Sequence, residues 1–299
     1  MSRAVRFDRV GPASVLYLAD VEPAVPGPGK IRVRVKAAGL NPADYKVRNG
    51  TNPPTVFPAS LGRELAGVVE SLGEGVTRVA VGDEVFGNVA EVALAELAVT
   101  NPNNMAFKPA ALSWEIAGGL ALAGQTAWDE LASQNVTDAD TVLVSAAAGG
   151  VGGIVSQLAL RTGATVIGTA SEENHEFLRS RGIIPVAYGP GLADRVRRAA
   201  PTPITVVFDH HGSETILAAL ELGVSPQRIN TIAMNPDEHG VQRVGRGPIN
   251  TDTLDTLAAL VVEGALVVEI AATYPLEKVV EAYEQLEGGH VRGKIVVLP

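Results

Sequence analysis

The sequence predicts an α/β protein: a doubly wound parallel sheet accompanied by a second, β-rich part. Three observations carry this. Residues 141–170 run strand, small-residue turn, helix and strand within about thirty positions. Downstream, short apolar runs keep alternating with helical patterns as far as residue 233. Upstream, residues 1 to about 100 show period-two alternation broken by turn residues instead.

In chain order, residues 29–38 place Ile31, Val33 and Val35 on one face and Arg32, Arg34 and Lys36 on the other, the pattern of a half-buried antiparallel strand. Asn41 suits a helix N-cap and Pro42 the first helical position. Pro53, Pro54 and Pro58 mark an irregular loop. Residues 61–72 and 82–85 supply further strands on either side of Gly73-Glu74-Gly75; 101–109 connect, and 113–131 turn helical. After the central unit come helix 173–181, strand 185–188, helix 192–199, strand 204–208 ending in Asp209, helix 213–222 and strand 228–233. Helix 250–263 follows. The tail, with 266–270, helix 275–287 and strand 294–298, is short for a domain and is expected to return to the first part.

The central unit carries the chemistry. Thr141-Val142-Leu143-Val144 reads as a strand buried on both faces. After the turn 146–152, Ile154, Val155, Leu158 and Leu160 recur at helical spacing up to Gly163, and Thr165-Val166-Ile167 is the second strand. Gly149 and Gly152 allow close backbone approach, and the free N–H groups and dipole of a helix start favour a pyrophosphate. Read as G-x-G-x-x-G from position 147, the pattern is one glycine short, because Ala147 stands first; the strand–helix–strand context is the one this fingerprint requires. A dinucleotide site is expected, against the plainer reading of a tight turn without a ligand. An NAD site places Asp or Glu at the end of the second strand. Here Ala170 stands there, so nothing repels a 2′-phosphate, and Ser171, His175 and either Arg179 or Tyr188 could bind one. Glu172 and Glu173 are expected to point to solvent on the next helix's first turn. NADP (NADPH) is therefore expected over NAD.

Composition excludes several other functions. A length of 299 residues accommodates two domains, and 46% hydrophobic against 19% charged residues describes an ordinary globular chain. The net charge of -9, with no Lys/Arg run, argues against a nucleic-acid surface. No apolar run reaches eighteen residues and no leader precedes the first strand, so a cytoplasmic protein without a membrane partner is expected. Zero cysteines remove disulfides, a thiolate nucleophile and Cys-ligated zinc. The five histidines show no ligand spacing, and His210 and His211 would point opposite ways on an extended chain, so no metal is expected. The absence of G-x-S-x-G argues against a serine hydrolase.

The motifs Ala37-Ala38-Gly39-Leu40-Asn41-Pro42-Ala43-Asp44, 61–69, Gly82-Asp83-Glu84-Val85-Phe86-Gly87, Thr126-Ala127, the turn 146–152 and Gly293-Lys294-Ile295-Val296 resemble, in order, those of the medium-chain dehydrogenase/reductase superfamily. Within it the chain is similar to the zinc-independent quinone oxidoreductase group related to zeta-crystallin. The zinc-dependent branch carries a ligand cysteine where this chain has Leu40-Asn41. The resemblance implies a GroES-like catalytic domain over 1–114 and 266–299 and a Rossmann NADP-binding domain over 115–265. It implies NADPH in a cleft between them, hydride transfer from nicotinamide C4 to a quinone or conjugated carbonyl, and a homodimer paired through the Rossmann sheet edge. By the same resemblance Thr126, the turn residues Ala148, Gly149, Gly150, Val151 and Gly152, and Ala233 and Arg292 contact the cofactor. Ser171, His175 and Tyr188 match the 2′-phosphate positions, with His175 where the family often has Lys, and Ala170 is the cofactor-binding residue ahead of them; Asn41 matches the active-site asparagine. The chain departs from the family at Asp209-His210-His211-Gly212-Ser213, often Asp-x-Val-Gly-Gly, and at Thr51-Asn52-Pro53, where an aromatic residue is missing.

Donors near the acceptor oxygen lower the barrier as hydride arrives. The Asn41 amide and Tyr45 hydroxyl are the candidates; a plain N-cap for Asn41 and core packing for Tyr45 are the competing readings. Asp44 is expected to pair with an arginine such as Arg63, and water can supply the final proton. Two alternative functions stay open: an enoyl-thioester reductase of fatty-acid or polyketide type, and a non-catalytic NADPH-binding redox sensor.

Overall fold

Alternation and burial separate the chain into two kinds of sheet. The computed structural model describes residues 1–90 and 92–299. They form β1 (Ser2–Arg6), β2 (Tyr17–Val21), β3 (Ile31–Gly39), α1 (Pro42–Arg48), β4 (Glu64–Leu72), β5 (Glu84–Asn88), β6 (Leu97–Thr100) and β7 (Met105–Phe107). Then come α2 (Trp114–Ser133), β8 (Thr141–Val144), α3 (Gly150–Arg161), β9 (Thr165–Ala170), α4 (His175–Ser180), β10 (Ile184–Ala187), α5 (Leu192–Ala199), β11 (Val206–Asp209), α6 (Ser213–Glu221) and β12 (Ile229–Thr231). The chain closes with α7 (Thr251–Val262), β13 (Ile270–Pro275), α8 (Val279–Glu287) and β14 (Lys294–Leu298).

Two compact units result, residues 1–122 with 249–299, and residues 123–248. The sequence drew these boundaries at 114/115 and 265/266. The first half of α2 joins the first unit because Leu122 N–H donates to Glu64 at 2.8 Å and Gly118 lies so close to Ala37 that no side chain fits between them. Helix α7 joins it through contacts with β7.

In the first unit β3 buries Ile31, Val33 and Val35 and exposes Arg34 and Lys36, as its alternation predicts. It pairs antiparallel with β4 on one side and with β6 and then β14 on the other, within a sheet ordered β13-β14-β3-β4-β5-β7. The core gathers Phe7, Ile31, Leu65 and Ile295 with Leu276 and Tyr283 from the tail. Fully buried Arg48 clips the tail to α1: its Nη2 donates to Glu287 at 2.6 Å, its Nε to the Gly11 carbonyl at 3.1 Å, and its guanidinium lies 5.5 Å from the Tyr283 ring centre. The tail differs from expectation: residues 266–269 carry neither helix nor strand. Residues 270–275 form strand β13, parallel to β14, and the helix begins only at Val279 after a 3₁₀ turn. The six residues alternate half-buried and exposed, so they carry no continuous apolar run to mark them as a strand.

The second unit is a parallel sheet ordered β10-β9-β8-β11-β12, with β8, β11 and β12 buried throughout. Leu143, Ile167, Val207, Ile216 and Ile229 fill its core. The outer edge of β12 is covered by Gln242, which accepts from Thr231 N–H at 2.9 Å and donates to the Ile229 carbonyl at 2.8 Å. The expected helix 173–181 is split into a 3₁₀ turn at Glu172–Asn174 and α4 proper. Among the described residues, no helix is long and apolar enough to cross a membrane.

Candidate functional site

Parallel strands put all their carboxyl ends on one side, and the strand order reverses between β8 and β11: β8 leads to β9 on one side and β11 to β12 on the other. Helix α3 starts there. Its N-cap is Gly149, extended and without a side-chain cap, which leaves the first-turn N–H groups of Gly150, Val151 and Gly152 for a ligand. A Cβ at Gly152 would fall 2.3 Å from the Ala146 carbonyl oxygen, so only glycine lets the helix begin this close to the turn. Ala146 itself is left-handed at φ 49° and accepts the Gly149 N–H at 2.8 Å. The missing first glycine has a structural answer. Ala147 is fully buried, and its methyl occupies space that Gly168 on β9 leaves open; a Cβ at Gly168 would fall 2.5 Å from it.

At the end of β9, Ala170 is buried, and the His175 Nε2 lies 3.3 Å from its carbonyl. Ser171 Oγ donates to Glu173 at 3.1 Å and accepts from Asn174 at 2.9 Å. Glu173 is exposed but folds back onto Ser171, instead of pointing away as expected, because the 3₁₀ turn brings residues two apart within reach. Tyr188 is 42% exposed, its ring 6.3 Å from that of His211. A cavity of about 390 Å³ beside His175 is lined by Glu172, Ala187, Arg195 and Arg198. Arg195 anchors the loop after β10, donating to the carbonyls of Ala187, Gly189 and Pro190 at 2.9, 2.6 and 2.7 Å. Sequence reasoning missed both arginines; the only signal was their place on a strongly amphipathic helix. Thr126 is buried on α2, and Ala233 is half-buried, its N–H donating to Thr231 Oγ1 at 3.1 Å. The second unit thus collects 148–152, 170–175 and 188 along its carboxyl edge. Arg292 is exposed in the first unit, ahead of β14.

The first unit holds Asn41, Tyr45 and a buried ionic cluster. Asn41 caps α1 with its backbone, and Asp44 accepts the Asn41 N–H at 2.9 Å, the returning half of a capping box. Its amide is fully engaged: Nδ2 donates to Glu64 Oε1 at 2.8 Å, and Oδ1 accepts from Lys294 Nζ at 2.5 Å. Lys294 also donates to Glu64 at 2.8 Å and to the Leu40 carbonyl at 3.0 Å. Asn41, Asp44, Glu64 and Lys294 are all buried, and the amide serves this cluster. Arg63 approaches Asp44 to 4.0 Å, the pairing the sequence suggested. Burial pushes the Asp44 carboxyl up to about 7, against the lowering effect of the Asn41 N–H, Lys294 and Arg63. Tyr45 is half-buried against the core; burial, with Glu287 adding to it, raises its phenol, so its hydroxyl stays a donor.

Comparison with known proteins agrees with this geometry. Residues 27–132 match the alcohol dehydrogenase GroES-like domain, and 164–297 match the family described as zinc-binding dehydrogenase. A quinone oxidoreductase of Pseudomonas aeruginosa is 30% identical over all of both chains. The NADPH-dependent alkenal/one oxidoreductase of Arabidopsis thaliana chloroplasts is 33% identical over 90% of this chain and 72% of that one. The solved structure of Escherichia coli quinone oxidoreductase complexed with NADPH superposes with a TM-score of 0.89 at 27% identity, covering 99% of this chain and 100% of the other. The zinc of the second family's description does not fit here. With no cysteine in the chain, the buried Asn41 and Glu64 oxygens already hold a cation, the Lys294 ammonium.

Two tests follow from the geometry. A methyl added at Gly168 would meet that of Ala147; G168A should cost about 1–3 kcal/mol, and A147G in the same chain should recover much of it, whereas strictly additive effects would deny the contact its role. The second concerns pH. Folded Asp44 keeps a proton that the unfolded chain, at its ordinary 3.8, releases; its contribution is full below 3.8 and lost as pH rises through about 7. D44N removes that loss. It should raise thermal stability relative to the parent at about pH 8 but not at about pH 4.5, and an equal change at both would show that the carboxyl does not titrate there.

Proposed function

Because the chain belongs to the medium-chain dehydrogenase/reductase superfamily, in its zinc-independent quinone oxidoreductase group, we propose that it is an NADPH-dependent reductase of quinones or α,β-unsaturated carbonyls. The observation that carries this is the uncapped start of α3 behind the 146–152 turn, at the reversal point of a parallel sheet. When bound, NADPH supplies a hydride from nicotinamide C4 to the acceptor. The protein's own part is binding, orientation and charge. The N–H groups of Gly150, Val151 and Gly152 take the pyrophosphate. Ser171, His175 and Tyr188 take the 2′-phosphate, with Arg198, which shares a cavity with His175, adding positive charge, and Thr126, Ala148, Gly149, Ala233 and Arg292 complete the contacts. Tyr45, whose protonated hydroxyl makes no hydrogen bond among the described residues, is the donor toward negative charge developing on the acceptor oxygen. Asn41 acts one step back, holding the start of α1 through Glu64 and Lys294.

The relatives named for quinones and alkenals favour reduction of small free acceptors over a carrier-bound thioester or a sensor role. A cytoplasmic homodimer completes the reading on family resemblance; light scattering distinguishes it from a monomer of 31.0 kDa.

The test is separate titration with NADPH and NADH, followed by loss of nicotinamide absorbance with 1,4-benzoquinone and with a simple enone. NADPH-dependent turnover of either acceptor is the expected result. NADH preference would overturn the assignment of residues 170–175, and binding without turnover would leave the non-catalytic reading. E173Q, which removes a carboxylate from the Ser171 hydroxyl, should tighten NADPH about three- to tenfold while changing NADH little; an equal effect on both cofactors would place Glu173 away from the 2′-phosphate.

A further inference from the structure

One buried ionic pair in the second unit takes no part in the chemistry described so far. Glu130 projects from α2 and is fully buried; the His210 side chain, just past β11, is 6% exposed. The imidazole Nε2 lies 2.8 Å from Glu130 Oε1 and Nδ1 lies 3.0 Å from the Ser145 carbonyl oxygen. A carbonyl can only accept, so Nδ1 carries a proton. Glu130 Oε2 accepts from Asn230 Nδ2 at 3.1 Å, which fixes the carboxyl group beside the ring. A charged ring donates from Nε2 to Glu130 and from Nδ1 to Ser145 at once, whereas a neutral ring has one N–H to give.

What this ring holds is the entry to the cofactor turn. Ser145 is the residue between β8 and left-handed Ala146. Its N–H donates to the Phe208 carbonyl at 2.9 Å, its Oγ donates to Asp209 at 2.9 Å and accepts the His210 N–H at 2.7 Å, and its carbonyl accepts from the His210 ring. Every polar atom of Ser145 is therefore fixed by residues 208–210. The same peptide leads into Ala146, whose carbonyl sets the position of Gly149 and abuts Gly152. We propose that His210, charged and held by Glu130, is a positioning residue for the NADPH turn, and that losing its proton loosens the turn and weakens NADPH binding on the alkaline side. The proposal rests on the assignment of the 146–152 turn to the cofactor.

The surroundings agree in sign. Burial alone would push the ring down, but Glu130, the Ser145 carbonyl and Asp209 outweigh it and raise it above the ordinary imidazole value. The charged groups facing the ring are Glu130 from α2 and Asp209 from its own strand. Ser145 at the end of β8 is neutral, as is Asn230 of β12, which faces Glu130, and the next residue, His211, turns to Tyr188 instead. A raised ring contributes fully below its unfolded value, and the contribution is lost as pH rises through the folded one.

The test follows the NADPH dissociation constant by calorimetry between about pH 7 and about pH 9.5, clear of the ionisation of the 2′-phosphate near pH 6. Thermal unfolding of the cofactor-free chain is followed over the same range. The parent should lose about tenfold in affinity across it, with a parallel fall in stability. In E130Q the amide can donate to an uncharged ring while Nδ1 still donates to Ser145, so the turn stays held without a titrating charge; both profiles should be flat. H210V removes the ring, and should bind NADPH more weakly than the parent at neutral pH with no alkaline limb. If H210V does not fold, E130Q decides alone. An E130Q profile with the parent's alkaline loss, or a parent profile that is flat, overturns the proposal. Failure of the underlying cofactor assignment looks different, since no variant would then bind NADPH at any pH.

Discussion

Most of the second unit follows from one steric constraint: α3 must start with Gly152 packed against the Ala146 carbonyl. No side chain at 152 survives a gap of 2.3 Å, so the helix begins with bare backbone at the carboxyl edge of the sheet. Bare backbone there means N–H groups that the protein does not cap, in a place where the helix dipole adds positive potential. The neighbouring residues preserve this geometry. Gly168 yields room to Ala147, and Asp209 accepts from Ser145 Oγ, His211 N–H and Gly212 N–H, which locks the next strand's loop to the same turn. The turn is therefore built by β8, β9 and β11 together, and a change in any of them is felt at the start of α3.

The first unit solves a different problem, that of keeping an acid in a dry core. Glu64 is fully buried and would be costly as a lone charge; Lys294 in the tail supplies the counter-ion, while Asn41 and the Leu122 N–H complete its hydrogen bonds. This is also why the tail returns. The 294–298 strand carries the ammonium to the acid, and Arg48 with Glu287 repeats the device for α8. Replacing either member of the Glu64–Lys294 pair leaves the other buried and uncompensated, typically a loss of about 3–5 kcal/mol, whereas in the second pair only Arg48 is buried and Glu287 is exposed. The pairs thus couple the two ends of the chain more specifically than apolar contact alone would.

Features with a period were legible in the sequence. The alternation of 29–38 predicts β3 and its buried face, and the 141–170 pattern predicts β8, α3 and β9. The wound sheet follows from repeating that unit. What was hidden depends on partners far apart in the chain, and no local pattern encodes them. Lys294 reads as one basic residue before an apolar strand, Glu130 as a polar position on a helix, and His210 as half of a His-His pair at a strand end. Their roles appear only when α2, β11 and the tail are brought to them. The Glu173 miss has a smaller cause. A six-residue α4 preceded by a 3₁₀ turn curls the carboxylate back, where a regular helix would have pointed it outward.

That curl bears on how this chain distinguishes the two nicotinamide dinucleotides. A selective NADP site needs net positive charge around a group carrying about −1.5 to −2 at neutral pH. Glu172 and Glu173 work against it, but both are exposed, and in water two unit charges about 4 Å apart interact by only about 1 kcal/mol, less with salt. On the other side stand Arg198, His175 and a loop that Arg195 fixes through three carbonyl contacts. Arg195 spends its donors on the backbone on either side of Tyr188, which leaves Arg198 as the cavity's other cation. Under the proposed assignment the loop position carries the His175 imidazole, and the cation sharing its cavity, Arg198, stands on α5. On that assignment discrimination rests on an exposed guanidinium across a cavity, and its strength should fall as ionic strength rises.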